Sequence, residues 1–510
     1  MGMQTEEWIE DTSRGSSQSS SHLDEREGSQ SSSHLDEREG SQSSSHLDER
    51  EGSQSSSHLN DREGTQDPSR LGAGAPRTSG TVVKSDLDLG LLRVATAGSV
   101  DDGKSTLIGR LLLDSKAIFE DQLEAVEATS KAKGHDHTDL ALLTDGLRSE
   151  REQGITIDVA YRYFATPRRK FILADTPGHA QYTRNMVTGA STADLGLVLV
   201  DARHGLTEQS RRHTVLLSLL QVPHITLVVN KMDLVDYDES VYTQIREDFL
   251  AFTEQLQVPA VATFPISALV GDNVVETSDA MPWYTGTSLL EHLETAESAD
   301  LFETKGDRFP VQYVIRPQQG EHRDYRGYAG RVEAGTFRVG QDVVVLPSGV
   351  RTTVAGIDTL DATHDQAVTG QSVTLRLGDE VDVSRGDLIA DVEHAPEVTR
   401  EITATVCWMT TGTLHSRQKL LLKHTTRTVK AIVDGLGARL DVNTLERDGE
   451  ASELGLNEVG TVSLRLSQPL AVDAYATHRA TGSFILIDPA TGNTVGAGMI
   501  SGTHGVEYSI

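Results

Sequence analysis

The sequence predicts an α/β domain with a mostly parallel sheet, followed by two small β-barrels and preceded by a disordered N-terminal extension. Three successive patterns along the 510 residues indicate this fold class. Ser-rich repeats come first, apolar runs that end in polar loops alternate with helical segments next, and short strands separated by Gly follow. We place the extension at 1–85, the α/β domain at 86–305, and the barrels at 306–395 and 396–510.

The N-terminal extension carries a repeat with a period of 12 residues. "GSQSSSHLDERE" occurs at 28–39 and 40–51, and the variant "GSQSSSHLNDRE" occurs at 52–63. Each copy has one Leu and no aromatic residue, so it buries too little apolar surface to fold, and we expect a disordered acidic segment. Metal capture by the repeated histidines is the alternative, although their spacing fits no compact site. These histidines are His22, His34, His46 and His58.

Charge and composition exclude several classes of function. The net charge is −30, which argues against broad nucleic-acid binding because phosphates attract cationic surfaces. No apolar run approaches the ~20 residues of a membrane span, and the acidic start lacks the apolar core of a secretory signal. Cys407 is the only cysteine, which excludes an intrachain disulfide and favours a cytoplasmic protein. We expect Cys407 to be a packed strand residue.

The α/β domain begins with a buried strand, "LGLLRVATAG", and continues through a glycine-rich loop into "KSTLIGRLLLDS", which has the periodicity of a helix. Four later apolar runs also end in polar loops. These are "KFILADTPG", "LGLVLVDARHG", "HITLVVNKMDL" and "TFPISAL". Because parallel strands end at the same edge of a sheet, we expect the loops to lie together at the carboxyl edge.

The first of these loops has the pattern of a phosphate-binding loop. In "GSVDDGKS", 98–105, two glycines, a lysine and a serine have the required spacing between a strand and a helix. Backbone N–H groups and the helix N-terminus bind phosphates in such loops. Lys104 would contact the β- and γ-phosphates, and the Ser105 hydroxyl would ligate Mg²⁺. The predicted nucleotide contacts are Gly98, Ser99, Val100, Asp101, Asp102, Gly103, Lys104, Ser105 and Thr106.

Groups for hydrolysis follow in "DTPGH", 175–179. Asp175 can hold Mg²⁺ through its hydration shell, the Gly178 N–H can bind the γ-phosphate, and His179 can position the attacking water. Thr156 in "REQGITID" would complete the Mg²⁺ shell, although these residues equally suit a strand. The nucleotide contacts here are Asp175, Thr176, Pro177, Gly178 and His179. The predicted catalytic residues are His179, Lys104, Thr156 and Asp175, and the predicted metal ligands are Ser105 and Thr156.

The identity of the base follows from "NKMD", 230–233, at the end of a strand. The Asp233 carboxylate would accept from guanine N1–H and the 2-amino group. Adenine lacks this pair of donors, so ATP would leave a buried carboxylate unpaired. "SAL", 267–269, would add the Ala268 N–H against guanine O6. The predicted base contacts are Asn230, Lys231, Met232, Asp233, Ser267, Ala268 and Leu269. Together these elements predict a P-loop GTPase domain with GTP and Mg²⁺ as cofactors.

Longer stretches carry a family resemblance. Residues 145–205, from "DGLRSEREQGITID" to "VLVDARHG", and also "GSVDDGKSTLIGRLL", resemble the GTPase subunits of bacterial sulfate adenylyltransferase, which are translation-factor GTPases. Further matches lie in both predicted barrels and just before them. These are "MPWYTGTSLLEHLE", "FPVQYVIRP", "RGYAGRV" and "LLKHTTRTVKA". The resemblance covers roughly 88–505.

The resemblance implies a GTPase domain plus two β-barrels, as in elongation factor Tu. It also implies a heterodimer with a small catalytic subunit, and no nucleic-acid or membrane partner. That subunit transfers AMP from ATP to sulfate, which gives adenosine 5′-phosphosulfate and pyrophosphate. GTP hydrolysis on this chain would drive the formation of that anhydride, and the residues for adenylyl transfer would lie on the partner.

An elongation-factor-like translation GTPase is the alternative. Factors of that kind usually read "GHVDHGKT", whereas this chain has Asp102 and Ser105 at the positions of the second His and the Thr. A basic cluster in the second barrel would touch RNA in such a factor, and here it would meet the partner or be a solvated strand face. The cluster comprises His415, Arg417, Lys419, Lys423, His424, Arg427 and Lys430.

Overall fold

The computed structural model describes most of the chain from Gly90 to Gly502. The described residues are 90–116, 123–124, 126, 129–131, 138, 140, 156, 158–179, 182–258, 261–298, 305–317, 320, 323–360, 362–449 and 451–502. The predictions of a disordered segment at 1–85 and of metal capture by its histidines lie outside these residues.

A six-stranded sheet forms the centre of the first domain. Its strands are β1 (Leu91–Gly98), β2 (Ala160–Ala165), β3 (Lys170–Asp175), β4 (Leu195–Asp201), β5 (His224–Asn230) and β6 (Val261–Pro265). The spatial order is β2-β3-β1-β4-β5-β6, and β2 alone pairs antiparallel, with β3. The prediction of a mostly parallel sheet is confirmed. Strand β4 is buried along its whole length, as expected for a central strand covered on both faces.

Helices connect the strands and cover the sheet. They are α1 (Lys104–Asp114), α2 (Thr183–Ala190), α3 (Glu208–Leu219), α4 (Glu239–Gln255) and α5 (Leu289–Thr295), with a 3₁₀ turn at Met232–Val235. Side-chain oxygens of Thr207, Asp238 and Ser288 accept backbone N–H groups at the starts of α3, α4 and α5. Within the described ranges, no helix is long and apolar enough to cross a membrane.

Parallel pairing places the ends of four strands at one edge of the sheet. Gly98 ends β1, Asp175 ends β3, Asp201 ends β4 and Asn230 ends β5. Apolar clusters lie on both sides of the sheet, one around Leu92 and the other around Val198 and Val229. The core therefore fixes the strand ends, and the polar loops that follow them meet at this edge.

A closed antiparallel sheet forms the second domain. Its strands are β7 (Arg308–Ile315), β8 (Gly327–Arg331), β9 (Thr336–Arg338), β10 (Asp342–Leu346), β11 (Val350–Asp358), β12 (Thr363–His364), β13 (Gln366–Val368), β14 (Ser372–Leu377) and β15 (Leu388–Asp391). The order in the closed sheet is β10-β15-β7-β8-β14-β11-β12, and pairing of β10 with β11 closes the barrel, whereas β9 and β13 form a separate two-stranded sheet. Phe309, Val343 and Leu375 are among the side chains that fill it.

The third domain repeats this architecture. Its strands are β16 (Glu397–Trp408), β17 (Leu414–His415), β18 (Lys419–His424), β19 (Arg427–Leu440), β20 (Arg447–Asp448), β21 (Glu453–Leu454), β22 (Val459–Val472), β23 (Ser483–Ile487) and β24 (Thr494–Gly502). The order β18-β23-β24-β16-β22-β19 is closed by pairing of β18 with β19. Both predicted barrels are confirmed, whereas the exact domain boundaries stay predictions.

The basic cluster of the third domain is divided by the alternation of strand side chains. Lys419, Lys423 and Lys430 are exposed. His424 is buried, and its Nε2 lies 2.7 Å from the Thr481 carbonyl oxygen, to which it donates. Arg427 forms an ion pair with a carboxylate of the second domain. The cluster is therefore not a single cationic surface, and contact of its exposed lysines with a partner stays a prediction.

Cys407 lies on β16, where it packs with Met409 against Leu216 and Leu220 of the first domain. It is buried, and this burial raises the pKa of the Cys407 thiol to about 12. Such a thiol stays protonated at neutral pH, so it is a weak nucleophile. The prediction of a packed strand residue is confirmed.

A buried ion pair joins the two barrels, in addition to the pair made by Arg427. Arg308, at the start of β7, is 2% exposed and donates two hydrogen bonds of 2.9 Å to Asp473, which is 8% exposed. Burial alone would raise the pKa of Asp473, but the Arg308 guanidinium holds it below its usual value. The bidentate geometry compensates the carboxylate for lost water.

Breaking this pair should destabilise the protein. Arg308→Leu removes the cation from the buried Asp473 carboxylate, which keeps the Thr481 hydroxyl as a donor, and we expect the free energy of unfolding to fall by about 3–5 kcal/mol. The control is Arg465→Leu, which removes the exposed pair with Asp434 and should cost at most about 1 kcal/mol. Urea unfolding followed by tryptophan fluorescence measures both losses. Equal losses for the two variants would contradict the account.

Candidate functional site

The loop after β1 turns sharply so that α1 can begin at Lys104. Gly98, Asp101 and Gly103 have φ values of 137°, 65° and 87°. A Cβ atom at Gly98 would lie 2.5 Å from a β4 carbonyl oxygen, and one at Gly103 would clash with the Asn230 side chain. Both positions therefore require glycine. The turn places the loop and the first N–H groups of α1 around one concavity, which suits an anion.

Two charged groups of this loop lie inside it. Lys104 is buried, and its Nζ donates to the Ser99 carbonyl oxygen at 2.6 Å. Burial lowers the pKa of Lys104, although Asp102 and Asp175 lie near and oppose the shift. The Asp102 carboxylate accepts from the Ser99 N–H at 2.5 Å, and burial raises the pKa of Asp102. Asp102 thus braces the loop, and its carboxylate points inward.

Oxygen atoms from three segments meet beside Lys104. The Ser105 hydroxyl donates to Asp175 Oδ2 at 2.8 Å, and Ser105 Oγ lies 3.3 Å from Thr156 Oγ1. The Thr96 hydroxyl donates to Asp175 Oδ1 at 3.3 Å, which orients the carboxylate from behind. Hydroxyl and carboxylate oxygens are the ligands that Mg²⁺ prefers. The structure thus brings together the predicted metal residues Ser105, Thr156 and Asp175.

The segment after Asp175 packs closely against the phosphate-binding loop. Thr176 is buried, and its N–H donates to Thr96 Oγ1 at 3.3 Å. A Cβ atom at Gly178 would lie 2.6 Å from Lys104 Nζ and 2.7 Å from the Ser99 carbonyl, so glycine alone fits there. His179 is exposed, and its ring packs edge-on against Tyr182 with 6.0 Å between the centroids. The His179 imidazole therefore lies at the open rim of the concavity.

Asn230 and Lys231 hold the phosphate-binding loop from the other side. The buried Asn230 amide donates to the Asp102 carbonyl oxygen at 2.8 Å and accepts from the Ala268 N–H at 2.9 Å. Lys231 Nζ lies 3.0 Å from Asp201 Oδ2 and also donates to the Asp101 carbonyl oxygen. Both residues therefore brace the phosphate-binding loop.

The Asp233 carboxylate has the environment expected for a group that reads a base. Its Oδ1 atom is buried and has no hydrogen-bond partner in the described part of the chain. Burying such an oxygen costs free energy unless a hydrogen-bond donor reaches it. The N1–H and 2-amino groups of guanine are suitable donors. The Ala268 N–H already donates to Asn230, so its predicted bond to guanine O6 would have to share that hydrogen.

Two residues of the site, Arg110 and His213, are not identified by the nucleotide-binding motifs of the sequence. Arg110 on α1 donates from Nε to the Ala268 carbonyl oxygen at 3.1 Å and from Nη2 to that of Leu269, so it holds the "SAL" loop. His213 on α3 accepts the Gly98 N–H. Neither residue belongs to a motif. His213 lies on the buried face of α3, and a histidine among the buried residues of a helix is the feature that could have indicated its role.

Comparison with protein families agrees with this geometry. Residues 90–298 match the elongation factor Tu GTP binding domain, and residues 401–501 match the GTP-eEF1A C-terminal domain-like family. The first domain is therefore a GTP-binding domain of the elongation factor Tu type, which confirms the predicted fold class.

Curated relatives define the family more closely. Sulfate adenylyltransferase subunit 1 from Alteromonas mediterranea is 52% identical over 412 residues, which are 80% of this chain and 86% of that protein. The protein of the same name from Shewanella woodyi is 49% identical over 448 residues, 85% of this chain and 94% of that protein. The bifunctional enzyme CysN/CysC of Mycobacterium tuberculosis is 60% identical over 411 residues, 80% of this chain and 67% of that protein. The chain belongs to the sulfate adenylyltransferase subunit 1 family, as the resemblance predicted.

Changing the base-reading carboxylate should change base preference. In Asp233→Asn the amide can donate to the 2-oxo group of xanthine, whereas it no longer accepts both guanine donors. We expect GTP to bind roughly 100-fold more weakly or worse, and XTP to become the preferred nucleotide. Competition against a fluorescent GTP analogue measures both affinities. The control is Asp236→Asn, an exposed carboxylate in the same loop. Unchanged selectivity for GTP in Asp233→Asn would refute the base assignment.

Proposed function

We propose that this chain is the GTP-hydrolysing, energy-coupling subunit of a sulfate adenylyltransferase. It binds GTP and Mg²⁺ at the edge of the parallel sheet. A small partner subunit transfers AMP from ATP to sulfate, and the product is adenosine 5′-phosphosulfate with pyrophosphate. The observation that carries the proposal is the convergence of Ser105, Thr156 and Asp175 beside Lys104, in a chain of this family.

Different residues of the site bind the phosphates, the metal ion and the attacking water during phosphoryl transfer. Lys104 and the N–H groups at the start of α1 bind the β- and γ-phosphates. Ser105 and Thr156 would ligate Mg²⁺, and the neighbouring Asp175 carboxylate would help to hold it. When bound, Mg²⁺ neutralises charge on the phosphate oxygens. The Gly178 N–H binds the γ-phosphate, and His179 at the rim orients the attacking water.

Base recognition uses the opposite end of the site. Asp233 accepts the two guanine donors, and Asn230 holds the loops on which phosphate and base binding depend. The remaining contacts come from the backbone and side chains of both loops. These are Gly98, Ser99, Val100, Asp101, Asp102, Gly103, Thr106, Thr176, Pro177, Lys231, Met232, Ser267, Ala268 and Leu269.

Coupling requires a route from the GTP site to the barrels, and α2 supplies one. This helix begins four residues after His179 and ends at Ala190. The carbonyl oxygen of Ser191, the residue that follows the helix, accepts from Arg479 Nη2 at 2.8 Å. Arg479 belongs to the loop between β22 and β23, whose first residue, Asp473, binds Arg308 of the second domain. A displacement of α2 would therefore act on both barrels through this loop.

The proposed partner explains why the chain needs no residues for adenylyl transfer. The anhydride between phosphate and sulfate is hard to form, and coupling to GTP hydrolysis makes its formation favourable. The partner and this chain form a heterodimer. A cytoplasmic location fits a chain with one cysteine, which cannot form an intrachain disulfide. A translation factor is not favoured, because the relatives named above are sulfate adenylyltransferase subunits.

The central test is product formation with and without GTP. The full chain and the small subunit are mixed with ATP and sulfate, and adenosine 5′-phosphosulfate is measured. We expect GTP to stimulate the wild-type complex and to have no effect on Lys104→Ala, which retains the slow unassisted reaction. The control is Arg465→Ala, because Arg465 is exposed and lies far in sequence from the phosphate-binding loop and from the loop of Asp233. No stimulation of the wild type, or tight binding of aminoacyl-tRNA, would contradict the proposal.

Removing the contact between α2 and the third domain should uncouple the two reactions. In Arg479→Met the long side chain remains but the bonds to Ser191 and Ala193 are lost. We expect GTP hydrolysis by the isolated chain to stay close to the wild-type rate, because neither lost bond involves a residue of the proposed nucleotide site. GTP-stimulated product formation should fall by a larger factor. Equal effects on the two rates would refute the route through α2.

A further inference from the structure

His213 lies beneath the phosphate-binding loop. It occupies the second turn of α3 and is completely buried. Its Nδ1 atom accepts the Gly98 N–H at 3.0 Å, although the two residues are 115 positions apart in the chain. The other ring nitrogen, Nε2, lies 2.7 Å from the side-chain amide of Gln209, one helical turn earlier. Both polar atoms of the imidazole therefore have partners.

The partners determine the protonation state of the ring. A backbone N–H can only donate, so Nδ1 must be the unprotonated nitrogen and Nε2 carries the proton. The Gln209 side-chain nitrogen is placed 2.7 Å from Nε2, and turning this amide by 180° presents its oxygen to the ring, where it accepts the Nε2 proton. Burial, together with the nearby cations Lys104 and Arg212, lowers the pKa of His213 to about 3. The imidazole is therefore a neutral acceptor at every physiological pH.

The helix around His213 is fixed independently of the nucleotide site. Thr207 Oγ1 accepts the Ser210 N–H at 3.1 Å at the start of α3. At the other end, the Leu220 carbonyl oxygen accepts from the Tyr475 hydroxyl of the third domain at 2.9 Å. Helix α3, which carries the imidazole, is thus held at both ends. The N–H of Gly98, the first glycine of the loop, donates to this imidazole.

The bonded N–H belongs to the residue at which the chain leaves β1. The carbonyl oxygens that follow it, of Gly98 and Ser99, lie 3.4 Å and 2.6 Å from Lys104 Nζ. Rotation of the Gly98 backbone would move both oxygens, and with them the ammonium that is proposed to meet the phosphates. Gly98 has no Cβ atom to restrain this rotation. An external bond to its N–H is therefore an effective restraint.

We propose that His213 is a positioning residue for GTP, which holds Gly98 so that the phosphate-binding loop and Lys104 keep their geometry. The proposal rests on the proposed function as a GTPase and extends it to a residue outside the nucleotide-binding motifs. A neutral acceptor suits this position, because a carboxylate there would attract Lys104 away from the phosphates. A protonated imidazole would repel Lys104 and could not accept the Gly98 N–H.

Two substitutions separate positioning from packing. His213→Leu fills the buried space but leaves the Gly98 N–H without an acceptor. His213→Asn is smaller, but its Oδ1 occupies the place of Nδ1 on the side chain and can accept the same bond. If His213 only fills space, Leu is the better replacement. If His213 positions the loop, Asn is better.

The experiment measures dissociation constants of the full chain for mant-GTP and mant-GDP, with thermal unfolding of each variant as a check on the fold. We expect His213→Leu to weaken both nucleotides about tenfold, as one lost buried bond implies, and His213→Asn to recover most of this loss. GTP hydrolysis should show the same change mainly in KM. Wild-type affinity in His213→Leu, or equal weakening in both variants with unchanged unfolding temperatures, would overturn the proposal.

A third variant covers the case in which His213→Leu does not fold. Gln209→Met removes the partner of Nε2 and lets the imidazole rotate, while His213 itself remains. We expect mant-GTP to bind about threefold more weakly or worse, and an unchanged affinity would overturn the proposal. Failure of the proposed function has a different signature. In that case the wild-type chain itself would not bind mant-GTP, whereas failure of this inference leaves wild-type binding intact.

Discussion

The two hydrogen bonds of the Asn230 side chain connect the phosphate end of the site to the base end. Its amide N–H holds the Asp102 carbonyl oxygen, and its oxygen accepts the Ala268 N–H. The contact with the first loop is possible because Gly103 has no side chain where the Asn230 amide lies. One buried amide thus fixes the distance between the loop for phosphates and the carboxylate of Asp233. In the proposed function, a guanine nucleotide reaches both ends, because it carries phosphates at one end and the guanine donors at the other.

The sheet edge also explains how a nucleotide site can act at a distance. α2 begins four residues after His179, α3 bonds the phosphate-binding loop through His213, and both helices end against the third domain. Arg479 binds the end of α2, and Tyr475 binds the end of α3. Both residues lie in the loop that Asp473 anchors to the second domain through Arg308. A small shift at either helix start would reach both barrels, since packed elements move as rigid bodies.

Much of the site could be predicted from the sequence because its motifs are local. The strand, loop and helix around Gly98 follow one another in the chain, and Asp233 follows directly after a buried strand. Residues that act across long separations could not be predicted in this way. His213 and Arg110 reach loops 115 and 158 residues away, and no spacing rule relates such positions. The basic residues of the third domain do not form one surface for a different reason. Successive side chains of a strand point to opposite faces, and His424 therefore points inward.

The central claim is that GTP hydrolysis on this chain and adenylyl transfer on its partner form one coupled cycle. The most direct test measures GTP hydrolysis by the assembled complex while sulfate is titrated at constant ATP. The account predicts that phosphate release from GTP rises with sulfate and follows the formation of adenosine 5′-phosphosulfate. A rate of GTP hydrolysis that is the same with and without sulfate, while the product still forms, would contradict it.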